Sequence, residues 1–254
     1  MKIITEIGLN HGGDPFIAKK ILQKLVNASI DGITFQIKKK SFYLELEKAH
    51  RNKDKNYFNQ FREKNFYNYI FLRKKFKPLN LNKKFYRDVI KFIKKRNKLI
   101  GFAVGDIDML KYLSAKGADF FKILSEDLDN LKLIKEAIKS KVKIIFLSTG
   151  LHSTKKVKKL LEKIDTQKIV LLHTKFEHSI KKNNLKKIIS LKKATSLPVG
   201  FGNHSKNKNI FRVVKNYRPT VTFFYVKSNF FKFHPDDSHA INLKHVESLC
   251  KKLR

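Results

Sequence analysis

The sequence predicts a single (β/α)8 barrel with an insertion after its second strand, on three observations. Short apolar runs alternate with stretches of helical periodicity along all 254 residues, the signature of parallel strands joined by crossover helices. Eight such units can be counted, and the length falls within the usual range for one barrel domain, here residues 1 to 254. The strand runs are continuously apolar rather than alternating, as strands covered on both faces should be.

The first strand is read at residues 2 to 7 (KIITEI). Asp14 followed by Pro15 then supplies an N-cap and a first helical residue, and Ile17, Ile21, Leu22 and Leu25 form one apolar face. The second strand falls at 32 to 37 (GITFQI). Residues 40 to 80, a mixture of lysine, asparagine and aromatics, are too long for a βα loop of about two to six residues and read as an insertion over the barrel mouth. Its aromatics (Phe42, Tyr43, Tyr57, Phe58, Phe61, Phe66, Tyr67, Tyr69) are expected to pack as a satellite core, with a subunit contact as the alternative. Phe85, Val89, Phe92 and Ile93 mark the next helix, before strands at 98 to 104 (KLIGFAV) and 119 to 124 (DFFKIL). Asp129 with Asn130 offers a polar cap ahead of Leu131. A strand at 142 to 147 (VKIIFL) precedes the helical face of Val157, Leu160, Leu161 and Ile164. The last strands are read at 168 to 172 (KIVLL), 197 to 201 (LPVGF) and 219 to 225 (PTVTFFY).

Composition narrows the function classes. Lys plus Arg total 57 against 21 Asp plus Glu, a net charge of +36, which on its face suggests a polyanion partner. The lysines are scattered through every segment alongside many Ile, Asn and Phe, a compositional pattern rather than a binding patch. No zinc-ligand spacing, aromatic RNA-binding signature or basic zipper accompanies them, so no specific nucleic-acid partner is expected. The lone Cys250 excludes a disulfide framework and makes the reducing cytoplasm the expected compartment. The opening residues are too polar for a signal-peptide core, and lysine interrupts every apolar stretch short of the roughly eighteen residues of a membrane span.

In a barrel of this kind the active site lies at the C-terminal ends of the strands. Polar residues gather there: Glu6, Asn10 and His11 after the first strand; Gln36, Lys38 and Lys39 at the second; Lys122 and Ser125 at the fourth; Ser148 and Thr149 at the fifth; His173 at the sixth; Asn203 and His204 at the seventh. A buried cation beside hydroxyls and amides is how a protein holds a phosphate or carboxylate, and a nearby imidazole can bind a divalent metal.

These residues also carry a resemblance. EIGLNHGGD (6 to 14), GITFQ (32 to 36), FKILSEDLDNL (121 to 131), FLSTG (146 to 150), IVLLH (169 to 173) and LPVGFGNH (197 to 204) resemble, in order, the motifs of the sialic acid synthase family, which includes the legionaminic and pseudaminic acid synthases. The resemblance implies that C3 of phosphoenolpyruvate attacks the open-chain aldehyde of an N-acyl amino sugar, that water attacks C2, and that phosphate leaves. It implies a divalent metal, Mn or Mg, that polarises the aldehyde. By the same resemblance Glu6 and Gln36 face the sugar or a metal-held water, and Lys122, Ser148 and Asn184 hold phosphoenolpyruvate with support from Ser125. His204 is then a metal ligand and Asp237 a sugar contact, while Asn10 and Lys39 are taken as substrate-binding strand-end residues.

The chain also departs from the family. Thr34 stands where the family has a phosphate-binding lysine, with Lys38 and Lys39 as candidates to reach across, and Gly105 replaces a threonine. Gly202 and Asn203 replace a serine and an aspartate. Phe223, Phe224, Tyr225 and Val226 occupy the segment in which the family carries its second histidine ligand, for which His234 or His239, or Tyr225 itself, could substitute. Family members commonly continue into a small antifreeze-like domain that lends an arginine to the partner subunit, and the expectation here is a barrel without it; a homodimer is one assembly open to the chain. Two alternatives stand beside the enzyme reading: a catalytically degraded barrel that binds a sugar or phosphorylated ligand or serves as a partner subunit, and a polyanion binder driven by net charge.

Overall fold

The computed structural model describes residues 1–59, 76–175, 177, 179–230 and 234–254. Eight parallel strands close into a barrel: β1 (Lys2–Gly8), β2 (Gly32–Ile37), β3 (Leu99–Val104), β4 (Phe120–Ile123), β5 (Ile144–Ser148), β6 (Ile169–Thr174), β7 (Val199–Gly202) and β8 (Val221–Lys227). Each strand pairs with the next, and β8 pairs back onto β1 from Lys2↔Val221 to Glu6↔Tyr225. A two-residue β9 (Ile241–Asn242) adds to the end of β8. Every predicted strand overlaps an observed one, with ends displaced by no more than two residues. Two of those shifts have a cause: Pro198 and Pro219 lack the N–H that would extend β7 and β8 backwards.

The connecting helices are α1 (Pro15–Leu25), α2 (Lys40–Arg51), α3 (Lys55–Asn59), α4 (Lys83–Lys94), α5 (Ile107–Ala115), α6 (Leu131–Lys139), α7 (Thr154–Leu161), α8 (Lys186–Thr195), α9 (Ile210–Val214) and α10 (Val246–Leu253). Asp14 caps α1 as predicted, its carboxylate accepting from Phe16 N at 2.7 Å and Ile17 N at 3.2 Å. At α6 the cap is Asn130, accepting from Leu133 N at 3.1 Å, while Asp129 turns outward to an ion pair with Lys156. The insertion holds α2 and α3. Phe42, Tyr43, Tyr57 and Phe76 pack there with Leu9, Leu46, Ala49 and Leu79 as a satellite core. Phe61, Phe66, Tyr67 and Tyr69 lie outside the described residues, as does the side chain of Phe58.

Strand alternation divides the apolar residues into two cores. Outward-facing residues such as Ile3, Phe35, Phe102, Ile145 and Phe224 pack beneath the helices, and inward-facing Ile4, Phe120, Phe146, Leu172, Val221 and Phe223 fill the barrel. Phe120, Phe146 and Phe223 meet edge to face, with centroids 4.9–6.2 Å apart, the arrangement aromatic quadrupoles favour. Space for them comes from Gly101, where a Cβ would lie 2.1 Å from the Phe120 ring. The three rings form a dry floor under the C-terminal mouth.

Candidate active site

Directly above that floor sits an ion pair. Lys122 on β4 and Glu6 on β1 are each 1% exposed, and the ammonium donates to both carboxylate oxygens at 2.6 and 2.7 Å. Register explains how they meet. Gln36, Ala103, Lys122 and Phe146 are partners across β2 to β5 and share the inner face, as do Glu6, Thr34, Gly101 and Phe120 one level below. Removing two charges from water costs several kcal/mol per ion unless they are paired and hydrogen-bonded. The short two-point contact meets that condition, and the Phe223 ring, 5.2 Å from the ammonium, adds its face.

Tyr225, at the register of Glu6 on β8, completes the group. Burial holds its phenol well above the usual range, and the neighbouring carboxylates of Glu6 and Asp236 push it further in the same direction; its side chain is hydrogen-bonded to Glu6. The phenol therefore stays protonated and donates to Glu6. Gly8 makes this close approach feasible: at φ +56° a Cβ would lie 2.7 Å from Tyr225 Cε1. The Tyr225 ring lies 5.5 Å from His204 and 5.0 Å from His239, and the two imidazoles are 5.0 Å apart. Burial, the adjacent His239 and the Lys122 charge lower the His204 pKa well below the ordinary value.

The predicted residues divide into three groups. Glu6, Gln36, Lys122 and Ser148 all occupy inner, buried positions at the mouth, and the Ser148 hydroxyl has no hydrogen-bond partner among the described residues. Ser125 opens the 3-10 turn Ser125–Asp127 after β4, half-buried, its carbonyl 2.9 Å from His152 Nε2.

The second group is committed elsewhere. Asn10, expected to bind substrate, donates from Nδ2 to Val226 O at 2.8 Å and accepts from Asp236 N at 2.9 Å; its amide ties the end of β1 to the segment after β8. Asp237, expected at the sugar, pairs with Lys227 at 2.8 Å, its side chain 45% exposed. Lys38 bridges to Glu126 at 2.5 Å. The carboxyl of Asp127 is pushed up by burial and by Glu126, and held back by Lys39 and Lys38. Both lysines that follow β2 thus face acids from the turn after β4, and Lys39 is itself exposed.

The third group has a structural reason for its residue type. Asn184 is exposed with a left-handed backbone, φ +51°, and the buried amide of that loop is Asn183. His173 pairs in register with outward-facing Phe201, so it points away from the mouth. Its Nε2 lies 2.8 Å from Asn183 O, and burial lowers its pKa to about 4. His11 accepts from Gly13 N at 3.0 Å, its pKa lowered to about 3 by burial. Of the two candidate substitutes for the missing histidine, His234 is held at Asn10 O (2.7 Å) and Ser228 O (2.9 Å), whereas His239 lies beside His204. Asn203 uses its amide on the backbone of Ser205.

Among the described residues, no three His, Cys, Asp or Glu side chains converge as a self-sufficient metal centre. The His204 and His239 rings lie 5.0 Å apart, with Asp236 Oδ1 3.9 Å from His239 Nε2, so imidazole and carboxylate donors neighbour one another there without forming such a centre. Sequence reasoning raised Tyr225 only as a substitute for the missing ligand and not as a partner of Glu6. The signal was there: counting by twos from Phe223 places it on the inner face beside Glu6. Cavities of 510 and 690 Å3 lie between α1 and α4 and between α9 and α10, and neither includes a mouth residue, so strand ends and buried charge identify the site.

The chain is 27% identical over 261 residues to the N,N'-diacetyllegionaminic acid synthase of Campylobacter jejuni subsp. jejuni serotype O:2, covering 99% of this chain and 75% of that protein. It is 27% identical over 215 residues to an uncharacterised protein of Methanocaldococcus jannaschii, covering 80% and 55% of the two chains. The fold matches the N-acetylneuraminic acid synthetase of Leptospira borgpetersenii serovar Hardjo-bovis with a TM-score of 0.80 at 23% identity, over 99% of this chain and 81% of that one. The NeuB family model matches residues 21–217, most of the barrel, and the chain belongs to the NeuB family.

Proposed function

We propose that the protein condenses phosphoenolpyruvate with the aldehyde of an N-acyl amino sugar, giving a nonulosonic (sialic-type) acid and inorganic phosphate. The carrying observation is the buried Lys122–Glu6 pair at the barrel mouth with the Ser148 hydroxyl on the same inner face. In this reading C3 of phosphoenolpyruvate bonds to the aldehyde carbon, water adds at C2, and the C2–O bond breaks as phosphate leaves. Lys122 holds the carboxylate, Ser148 and Ser125 donate to the phosphate, Gln36 orients the sugar, and Glu6 with Tyr225 manages the proton at the reacting oxygen. A divalent ion, Mn2+ or Mg2+, would be held by His204 and His239 and would supply Lewis-acid polarisation of the aldehyde.

The test is phosphate release from phosphoenolpyruvate with Mn2+ and a panel of N-acetylated and di-N-acetylated hexosamines. Sugar-dependent release is expected. A folded protein that binds phosphoenolpyruvate but releases no phosphate with any sugar would sink the synthase reading. One observation favours the second reading, a barrel that binds without turnover: Lys38 and Lys39, candidates for the phosphate, already face Glu126 and Asp127.

A further inference from the structure

Lys122 is a cation with 1% exposure, and its ion-pair partner is a carboxylate from its own chain. Glu6 presents two oxygens and one negative charge to the ammonium, the same chemistry that a small carboxylate ligand would bring. Along the inner face at this height the other positions are uncharged: Thr34, Gln36, Ala103, Ser148, Gly202 and Tyr225. Asp236 adds a second carboxylate beside Tyr225, so before any ligand arrives the Lys122 charge is already answered by Glu6, and an incoming anion meets no spare cation on the inner face. Either the anion stays at the rim, or it takes the place of Glu6.

We propose that Glu6 is a place-holder for a substrate carboxylate, displaced from Lys122 when a 2-oxo or enol carboxylate binds. The exchange is charge for charge: one monoanion replaces another on Lys122, so the dry floor of Phe120, Phe146 and Phe223 never faces an unbalanced ammonium. The displaced carboxylate keeps the Tyr225 phenol as a donor and turns toward the open mouth. A doubly charged phosphate has no such equal exchange, so Glu6 acts as a specificity-determining residue that selects carboxylates at this position. The same step frees a carboxylate to face a second substrate only after the first has bound. This inference rests on the reading that the barrel mouth takes a carboxylate substrate.

Calorimetric titration of the full chain with pyruvate, and separately with inorganic phosphate, tests it. Glu6→Gln removes the competing charge at constant size and is expected to tighten pyruvate binding at least tenfold, with a smaller gain for phosphate. Lys122→Met should abolish pyruvate binding. Where Glu6→Gln proves too unstable to titrate, Glu6→Asp keeps the charge but shortens its reach, and a several-fold tightening is expected. Pyruvate affinity that is unchanged or weaker in the Glu6 variants overturns the proposal, as does an equal gain for phosphate or no pyruvate binding in any variant. These outcomes separate from the synthase reading: tightened pyruvate binding without sugar-dependent phosphate release keeps the exchange and removes the synthase, and the converse pair of results does the opposite.

Discussion

Glu6 and Lys122 are both stripped of water, so changing one leaves the other as an uncompensated buried charge. Lys122→Met should lower unfolding free energy by about 3–5 kcal/mol in urea denaturation and abolish phosphoenolpyruvate binding. The double variant Glu6→Leu with Lys122→Met should lose much less than the two single losses added together, because no charge remains unpartnered. Two buried histidines give a pH dependence whose sign is fixed. His173 and His11 have pKa values lowered to about 4 and about 3 by burial, so between pH 6.5 and those values the unfolded chain binds protons that the folded chain refuses. Their contribution to stability is complete above pH 6.5 and is lost as pH falls toward 4, on the order of 3 kcal/mol for His173. A chemical-denaturation series from pH 7.5 to 4.5 should show this decline, and His173→Asn should flatten it.

At the scale of the element, the inner faces of the strands are matched in size. Gly101→Ala on β3 would drive a methyl into the Phe120 ring on β4, and a destabilisation of about 1–3 kcal/mol is expected. Phe120→Leu in the same chain should recover part of it, which a double-mutant cycle will show. The segments after β7 and β8 make a second prediction. Histidine-to-alanine substitution at His204 or His239 should weaken Mn2+ binding at least tenfold by electron paramagnetic resonance, whereas His234→Gln should leave the ion's affinity intact; equal losses at all three would remove the assignment. The strands were legible because continuous apolar runs between helical periods have few other uses. The pairing of Glu6 with Lys122, 116 residues apart in sequence, was not, since it depends on barrel closure rather than local pattern. Asn184 was named by resemblance alone, and only the fold decides that of two adjacent amides it is Asn183 that turns inward.

For the molecule as a whole, 57 basic residues against 21 acidic ones leave a surplus of positive charge that repels itself in the compact state. Salt should therefore raise the thermal midpoint between about 0.01 M and 0.2 M, where the screening length falls from roughly 30 Å to under 10 Å; a midpoint that is flat or falls would show that the lysines are spaced beyond effective repulsion. No helix among the described residues is long and apolar enough to cross a membrane. Barrel closure joins β1 to β8, strands that leave the ribosome far apart in time. At roughly 5–20 residues per second, synthesis from Gly8 to Val221 takes on the order of 10–40 s. Throughout that interval the first strand has an unsatisfied edge and Glu6 is without the closed barrel around it. The nascent chain must stay unaggregated for tens of seconds before its last strand arrives, so its yield in a cell should depend on elongation rate and chaperone supply more than on final stability.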